Sequence, residues 1–354
     1  MSLLFFRRSV LTLLPALLML GNAHANSAAG VQGAGASFPA KVYQRWAGQF
    51  EDSTKIKVAY RASGSSEGVK LASERKVMFG ATDTPLSASE LAKLRLVQMP
   101  TVVGGVVPVV KLPGVGNHQL QLSGELLADL MSGKVARWND GRIAALNPGL
   151  RLPDLPVKRV VRSDESGSTE AFAAYLGLMS ASFKAEVGGG KLPRWPGSLL
   201  SAEGNDGVVR VLSSTEGGLA YVSFDRVGKD QLSAVRLRNA AGKFVAASEA
   251  GFRSAIRESD VHRKGDDSAS LLNQAGDESW PITQASFVLL DAEPARAADV
   301  APAMQFLTWS YQRGDRLLAG TGFAPLPLAV KAKLTGRLMQ IKPKDGEPLH
   351  FLPL

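Results

Sequence analysis

Val157-Lys158-Arg159-Val160-Val161-Arg162-Ser163-Asp164-Glu165-Ser166-Gly167-Ser168-Thr169, running on into Glu170 and Phe172, reads as strand, polar loop, helix. Residues 157–161 carry strand character and deliver Arg162 to the end of a sheet. From Glu170 to Met179, Phe172, Leu176 and Met179 fall near one another at helical spacing. Strand, loop and helix in that order place the loop's polar groups at the carboxyl end of a parallel sheet, where ligands bind in open α/β folds.

The same grammar extends in both directions. Residues 56–60 alternate like a strand, residues 77–81 form a compact apolar run, and residues 102–110 are almost wholly apolar around Gly104-Gly105. Between them, residues 41–50 put Val42, Trp46 and Phe50 on one helical face, and a second short helix follows Gly64-Ser65-Ser66. Further helices are expected at 122–131, 143–146, 303–313 and 328–338, and further strands at 219–224 and 286–290. The Gly-, Pro- and Ser-rich segment 188–207 reads as irregular surface or a lobe rim, and its end, Gly204-Asn205-Asp206-Gly207, as a turn or a rim loop closing on a partner lobe. The expected class is α/β, with a mainly parallel sheet flanked by helices in each of two lobes. The apolar strands 102–110 and 287–290 are the candidate crossings, giving one lobe from 26–107 with 288–354 and a second from 108–287, and a ligand cleft between them.

Ahead of these lobes, Arg7-Arg8 precede an apolar run from Val10 to Leu20, and Ala23-His24-Ala25 offers small residues to a peptidase. This pattern predicts an export signal, by the general or the twin-arginine route, cut near Ala25 and too short to span a bilayer. A periplasmic protein is the expectation. The chain has no cysteine, which excludes disulfides, thiolate metal sites and cysteine nucleophiles. Its formal charge of +9 falls to +7 without Arg7 and Arg8, and the cations are scattered, so an anionic small ligand fits better than nucleic acid.

Three polar segments at helix starts supply the candidate site. Ser37 and the Phe38 amide precede Pro39, which suits a first helical turn, and Gly33 and Gly35 would let backbone approach a ligand. Ser63 or Ser65 would cap the next helix, leaving the other hydroxyl free. Arg162 adds a planar fork for two anion oxygens, and Ser166, the Gly167 amide and Ser168 add further donors. Asp83, at the end of the strand 77–82, is the unexpected member, because a carboxylate beside an anion repels it unless a proton is shared. Phosphate near neutral pH keeps such a proton and sulfate does not. The mismatch costs sulfate a few kcal/mol, or about a hundredfold in affinity. Helix capping explains each serine taken alone, a salt bridge explains Arg162, and a turn explains Asp83-Thr84-Pro85.

Together, Gly33-Ala34-Gly35-Ala36-Ser37-Phe38-Pro39-Ala40, Gly64-Ser65-Ser66, Phe79-Gly80-Ala81-Thr82-Asp83, the run from Pro100 to Val107, Trp138-Asn139, Leu146-Asn147-Pro148-Gly149-Leu150, Gly204-Asn205-Asp206-Gly207 and Trp280-Pro281-Ile282-Thr283 resemble the PstS-like periplasmic phosphate-binding proteins of bacterial ABC importers. The resemblance runs from about Gly33 to about Lys333. It implies a two-lobed type II periplasmic-binding-protein fold, with phosphate held by Ser37, Phe38, Ser65, Asp83, Arg162, Ser166, Gly167 and Ser168. It also implies an inner-membrane ABC phosphate permease as partner, no cofactor or metal, no catalytic residue, and a monomer. Ser37 and Ser168 stand where the family commonly has threonine, which keeps the hydroxyl and drops a methyl. A secreted phosphatase is the rival from another class, although His118, His262 and His350 lie next to no serine-rich loop. A phosphate-binding surface or adhesion protein is a third reading.

Overall fold

A computed structural model describes residues 30–227 and 232–349, so the expected export signal lies outside the described residues. In chain order it begins with β1 (Val31–Gly35), α1 (Ala40–Thr54), β2 (Val58–Ala62), α2 (Ser65–Ser73), β3 (Phe79–Thr82), α3 (Ala88–Leu94) and β4 (Leu96–Lys111). There follow β5 (Gln121–Leu122), α4 (Gly124–Ser132), α5 (Gly141–Leu146), β6 (Lys158–Arg162), α6 (Gly167–Met179), α7 (Ala181–Glu186), β7 (Leu200–Ala202), α8 (Gly204–Ser213) and β8 (Gly218–Ser223). Next come β9 (Ser233–Ala234), β10 (Arg236–Arg238), β11 (Phe244–Val245), α9 (Glu249–Arg257) and α10 (Asp260–Arg263). The chain closes with β12 (Thr283–Asp291), α11 (Ala301–Arg313), β13 (Phe323–Ala324), α12 (Leu328–Lys331) and α13 (Leu334–Leu338).

The principal sheet runs β2-β1-β3-β12-β4-β8-β6-β7. Its two ends are parallel, β2-β1-β3 on one side and β8-β6-β7 on the other, joined through antiparallel β12 and β4. β4 changes partner along its length: Leu96–Gly105 pairs with β12, and Val106–Lys111 pairs with β8. The two-lobed α/β arrangement follows from that switch. β12 is paired with β4 from Thr283 onward, all of it on the first-lobe half of β4, so the chain has rejoined the first sheet at Thr283.

Fifteen of the sixteen residues of β4 are buried, which explains its nearly unbroken apolar run. Proline cannot donate to a ladder, and the register with β12 slips at Pro100: Phe287 faces Pro100 while Ser286 faces Val102. Thr101, left over by the bulge, hydrogen-bonds the Ser286 carbonyl at 3.0 Å and Tyr43 Oη at 2.7 Å. In the first lobe α1 buries Tyr43, Trp46 and Phe50, with Phe50 edge-on to Phe306 and Tyr60 stacked on Phe79. In the second, Phe172 of α6 stacks on Tyr221 of β8 with ring centroids 4.3 Å apart. Buried Trp46, Trp138 and Trp280 each donate their indole N–H to a backbone carbonyl, so these three serve packing.

Two local expectations change. Segment 188–207 is not irregular throughout, since it contains β7 and the start of α8, whose Val208, Val209 and Leu212 are buried at helical spacing. The single helix expected over 328–338 is two short ones. Beyond it, Ile341 is buried with Leu334 and Leu338, and Arg337 of α13 grips Asp267 through two hydrogen bonds of 2.6 and 2.5 Å.

Candidate anion-binding site

Parallel strands β1 and β3 end side by side, Gly35 opposite Ala81, so the residues that follow them, Ser37-Phe38 and Asp83, emerge at one sheet edge. The N-terminus of α2 reaches the same edge, because the Ser63 and Gly64 amides both donate to the Gly35 carbonyl, at 2.8 and 3.0 Å. From the other lobe, β6 ends at Arg162 and α6 begins at Gly167. The helix starts of α1, α2 and α6, with their unbonded amides, are thus gathered at the boundary between the lobes.

All eight expected residues come together. Ser37, Phe38, Ser65, Asp83, Arg162, Ser166 and Ser168 are each less than a tenth exposed, and Gly167 is buried beside them. Contacts cross between the lobes directly: the Gly167 amide donates to Ser65 Oγ at 3.2 Å, and Thr84 Oγ1 donates to Glu170. Within the first lobe the same Ser65 Oγ lies 3.4 Å from Asp83 Oδ2. A Cβ on Gly167 would stand 2.6 Å from the Asp83 Cβ and 2.8 Å from Ser65 Oγ. Only glycine lets the lobes approach this closely.

Several expected roles are corrected. Neither Ser63 nor Ser65 caps α2: the cap is Gly64, at a φ of +92°, and no side chain bonds there. Gly64 is required twice over, since an added Cβ would also lie 2.9 Å from Asp164 Oδ2 across the cleft. Ser65, released from capping, is available to Asp83 and Gly167. Gly33 and Gly35 make room for protein rather than ligand, because a Cβ on Gly33 would overlap the Phe79 ring and one on Gly35 the Ala81 backbone. Pro39 is the cap of α1, one residue ahead of the helix. Ser166 does cap α6, accepting the Thr169 amide at 3.3 Å, and its hydroxyl proton stays free to donate elsewhere.

Arg162 is not a surface ion pair. Its side chain is 2% exposed, and Nε and one terminal nitrogen hold Asp164, the Nε bond at 2.6 Å. Burial pushes the Asp164 carboxyl up, but the Arg162 bonds and charge and the Gly204 amide outweigh it, so Asp164 stays below the usual carboxylate range. Asp164 fixes the guanidinium plane and cancels much of its charge. Attraction for an anion therefore rests heavily on oriented N–H and O–H dipoles.

Asp83 behaves differently. Burial raises its carboxyl from 3.8 to about 7, against the hydrogen bond from Ser286, the charge of Arg162, the hydrogen bond from Ser65 and the charge of Lys191. A carboxylate so poised gains from any ligand that brings a proton to it. Ser286 Oγ, on β12 beside the Pro100 bulge, donates to Asp83 Oδ1.

Sequence reasoning missed Asp164, Ser286 and Gln284, and read Asn205 as part of a rim loop closing on the partner lobe, without assigning it a site role. Asn205 is 1% exposed and donates from Nδ2 to Ser37 Oγ at 3.1 Å, while Gln284 Nε2 donates to Ser168 Oγ at 3.3 Å. Asp164 was legible, two residues from Arg162 in a strand-to-helix loop. Asn205 lies in a Gly-rich motif that the sequence singles out, but Ser286 and Gln284 lie 116 or more residues from their partners and had no local signal.

A family model described as a PBP superfamily domain matches residues 21–313. The Phosphate-binding protein PstS of Pasteurella multocida is 37% identical over 90% of this chain and 93% of its own length. The protein of the same name from Haemophilus influenzae is 38% identical over 87% and 91%. This chain belongs to the PstS family. The fold is that of solved binding proteins: a phosphate binding protein from Stenotrophomonas maltophilia superposes with a TM-score of 0.64 at 19% identity, covering 85% of this chain and 91% of that one. Among the described residues of this PstS-family chain, no His/Asp/Glu cluster suits a metal ion, and no histidine hydrogen-bonds to Ser37, Ser65, Ser166 or Ser168.

Proposed function

We propose that the protein captures inorganic phosphate in the periplasm and hands it to an ABC-type phosphate permease. The observation that carries this reading is a buried, proton-accepting carboxylate, Asp83, set among donors from both lobes. Ser37, the Phe38 amide, Ser65, Arg162, Ser166, the Gly167 amide and Ser168 donate to phosphate oxygens, and the one protonated oxygen donates to Asp83. Sulfate, lacking that proton, meets Asp83 acceptor to acceptor.

Because both lobes supply donors, the shut form is the tight-binding form, and ligand shifts the population toward it. The lobe boundary is placed where β4 changes partner, at Gly105 and Val106, with β12 as the second crossing, because β12 pairs with the first-lobe half of β4 from Thr283 onward. The names of the curated relatives support phosphate as ligand. Membership of that family supports export behind the N-terminal signal and the permease as partner. Catalysis is disfavoured by the chemistry of the hydroxyls: their partners are amide N–H groups and Asp83, and among the described residues no histidine reaches them to act as base.

Titration calorimetry of ligand-depleted protein tests the reading. Phosphate is expected to bind at least about a hundredfold more tightly than sulfate at pH 8. Equal affinities would overturn it.

A further inference from the structure

We propose that Asn205 is a positioning residue for the site: across the closed cleft it fixes the polarity of the Ser37 hydroxyl, so that the single proton of Ser37 is turned to the ligand. This rests on the reading that Ser37 lines the phosphate site.

Asn205 is the second residue of α8, in the second lobe, and Ser37 lies between β1 and α1 in the first. The orientation of the carboxamide is not arbitrary. The Ser223 amide, on β8, reaches Asn205 Oδ1 at 3.0 Å, and a backbone N–H can only donate. The oxygen therefore faces Ser223 and the NH2 group faces Ser37 Oγ, at 3.1 Å. A serine hydroxyl has one proton and acts as donor once. With Asn205 occupying an acceptor position on Oγ, the proton points away from Asn205, toward the side where Asp83 and the helix starts converge.

Serine needs this more than threonine would. A second substituent on Cβ would stiffen χ1, and Ser37 has none. The Asn205 contact replaces that restraint from outside and exists only when the lobes meet, so closing the cleft and aiming the donor become one event. Gln284 makes a similar contact with Ser168, but its Oε1 has no partner to fix which way the carboxamide faces, so the same inference is not carried there.

The discriminating variant is Asn205→Asp, which retains the oxygen that Ser223 needs and the shape of the side chain, and replaces only the donor NH2 by an acceptor. Ser37 then turns its proton to the new carboxylate. Phosphate affinity would be measured by calorimetry at pH 8 for wild type, Asn205→Asp, Ser37→Ala and the double variant. Ser37→Ala is expected to weaken binding about tenfold and Asn205→Asp about a hundredfold, part of it from the added charge. In the Ser37→Ala background the charge effect persists and the orientation effect vanishes, so the Asn205→Asp penalty should shrink about tenfold. A second readout is pH: protonating the introduced carboxyl between pH 7 and 5 should restore affinity relative to wild type by about a hundredfold when Ser37 is present and by only about tenfold, the charge part, when it is absent. If Asn205→Asp does not fold, the same cycle is run with Asn205→Ala. Penalties that simply multiply would overturn the role of Asn205 while leaving the site intact. An unchanged affinity in Ser37→Ala would overturn both.

Discussion

Replacing Asp83 by asparagine removes one charge from a position where burial already resists it. The carboxyl stands at about 7 instead of 3.8, roughly three units, and each unit is worth about 1.4 kcal/mol. A folded value raised above the unfolded one means that the closed protein holds the extra proton. That stability is complete below about pH 4 and is lost as pH rises through about 7. The full cost of ionised Asp83 in the shut, ligand-free protein is therefore about 4 kcal/mol at pH 8. Opening the cleft readmits water, so the measurable part is on the order of 1–2 kcal/mol. Ligand-free Asp83→Asn should thus match wild type in thermal stability near pH 4, gain on it between pH 5 and 8, and show a flatter stability profile. Phosphate binding moves the other way: the P–OH loses an ionised acceptor, which weakens affinity about tenfold to a hundredfold, whereas sulfate can now accept from the new amide. Paired calorimetry with both anions at pH 8, alongside thermal melts at pH 5 and 8, reads all of this. A variant with undiminished preference for phosphate, or with the pH-stability slope of wild type, would refute the proton-acceptor role.

Other perturbations separate closure, charge and folding. Gly167→Ala puts a methyl 2.6 Å from the Asp83 Cβ at a helix start that tolerates alanine, so ligand-free melting should hold while phosphate fails to compact the protein in small-angle scattering. Arg162→Lys keeps the charge but loses the fork that Asp164 orients, and should weaken phosphate and sulfate alike, at least tenfold by calorimetry, leaving their ratio near wild type. Arg337→Ala strands the buried Asp267 carboxylate and unpins α13, so chemical denaturation should show a loss of roughly 2–4 kcal/mol with little change in phosphate affinity.

Much of the site was legible because its chemistry is local. Helix starts announce themselves through Ser, Gly and Pro next to apolar periodicity, and Ser166 and Ser65 stand where that reading put them, at the heads of α6 and α2. The reading faltered where one residue type serves two ends. Gly33 and Gly35 looked like ligand clearance and prove to be clearance for Phe79 and Ala81, since a missing side chain does not say what fills its place. Gly204-Asn205-Asp206-Gly207 looked like a turn, because glycine at its first and fourth positions masked the helical spacing of Val208, Val209 and Leu212 behind it.

The chain by itself determined the alternation of strands and helices, the absence of thiol chemistry, and an inventory of hydroxyls, one guanidinium and one carboxylate at strand ends. These follow from side-chain period and backbone preference, which act over a few residues. The tertiary structure alone decided that Ser286, 203 residues from Asp83, would donate to it, and that Asn205, 168 residues from Ser37, would reach across to that serine. Such contacts depend on strand register, down to a slip at Pro100, and on burial shared by both lobes. Both are properties of the whole packed chain, and so is the acidity of Asp83 that results from them.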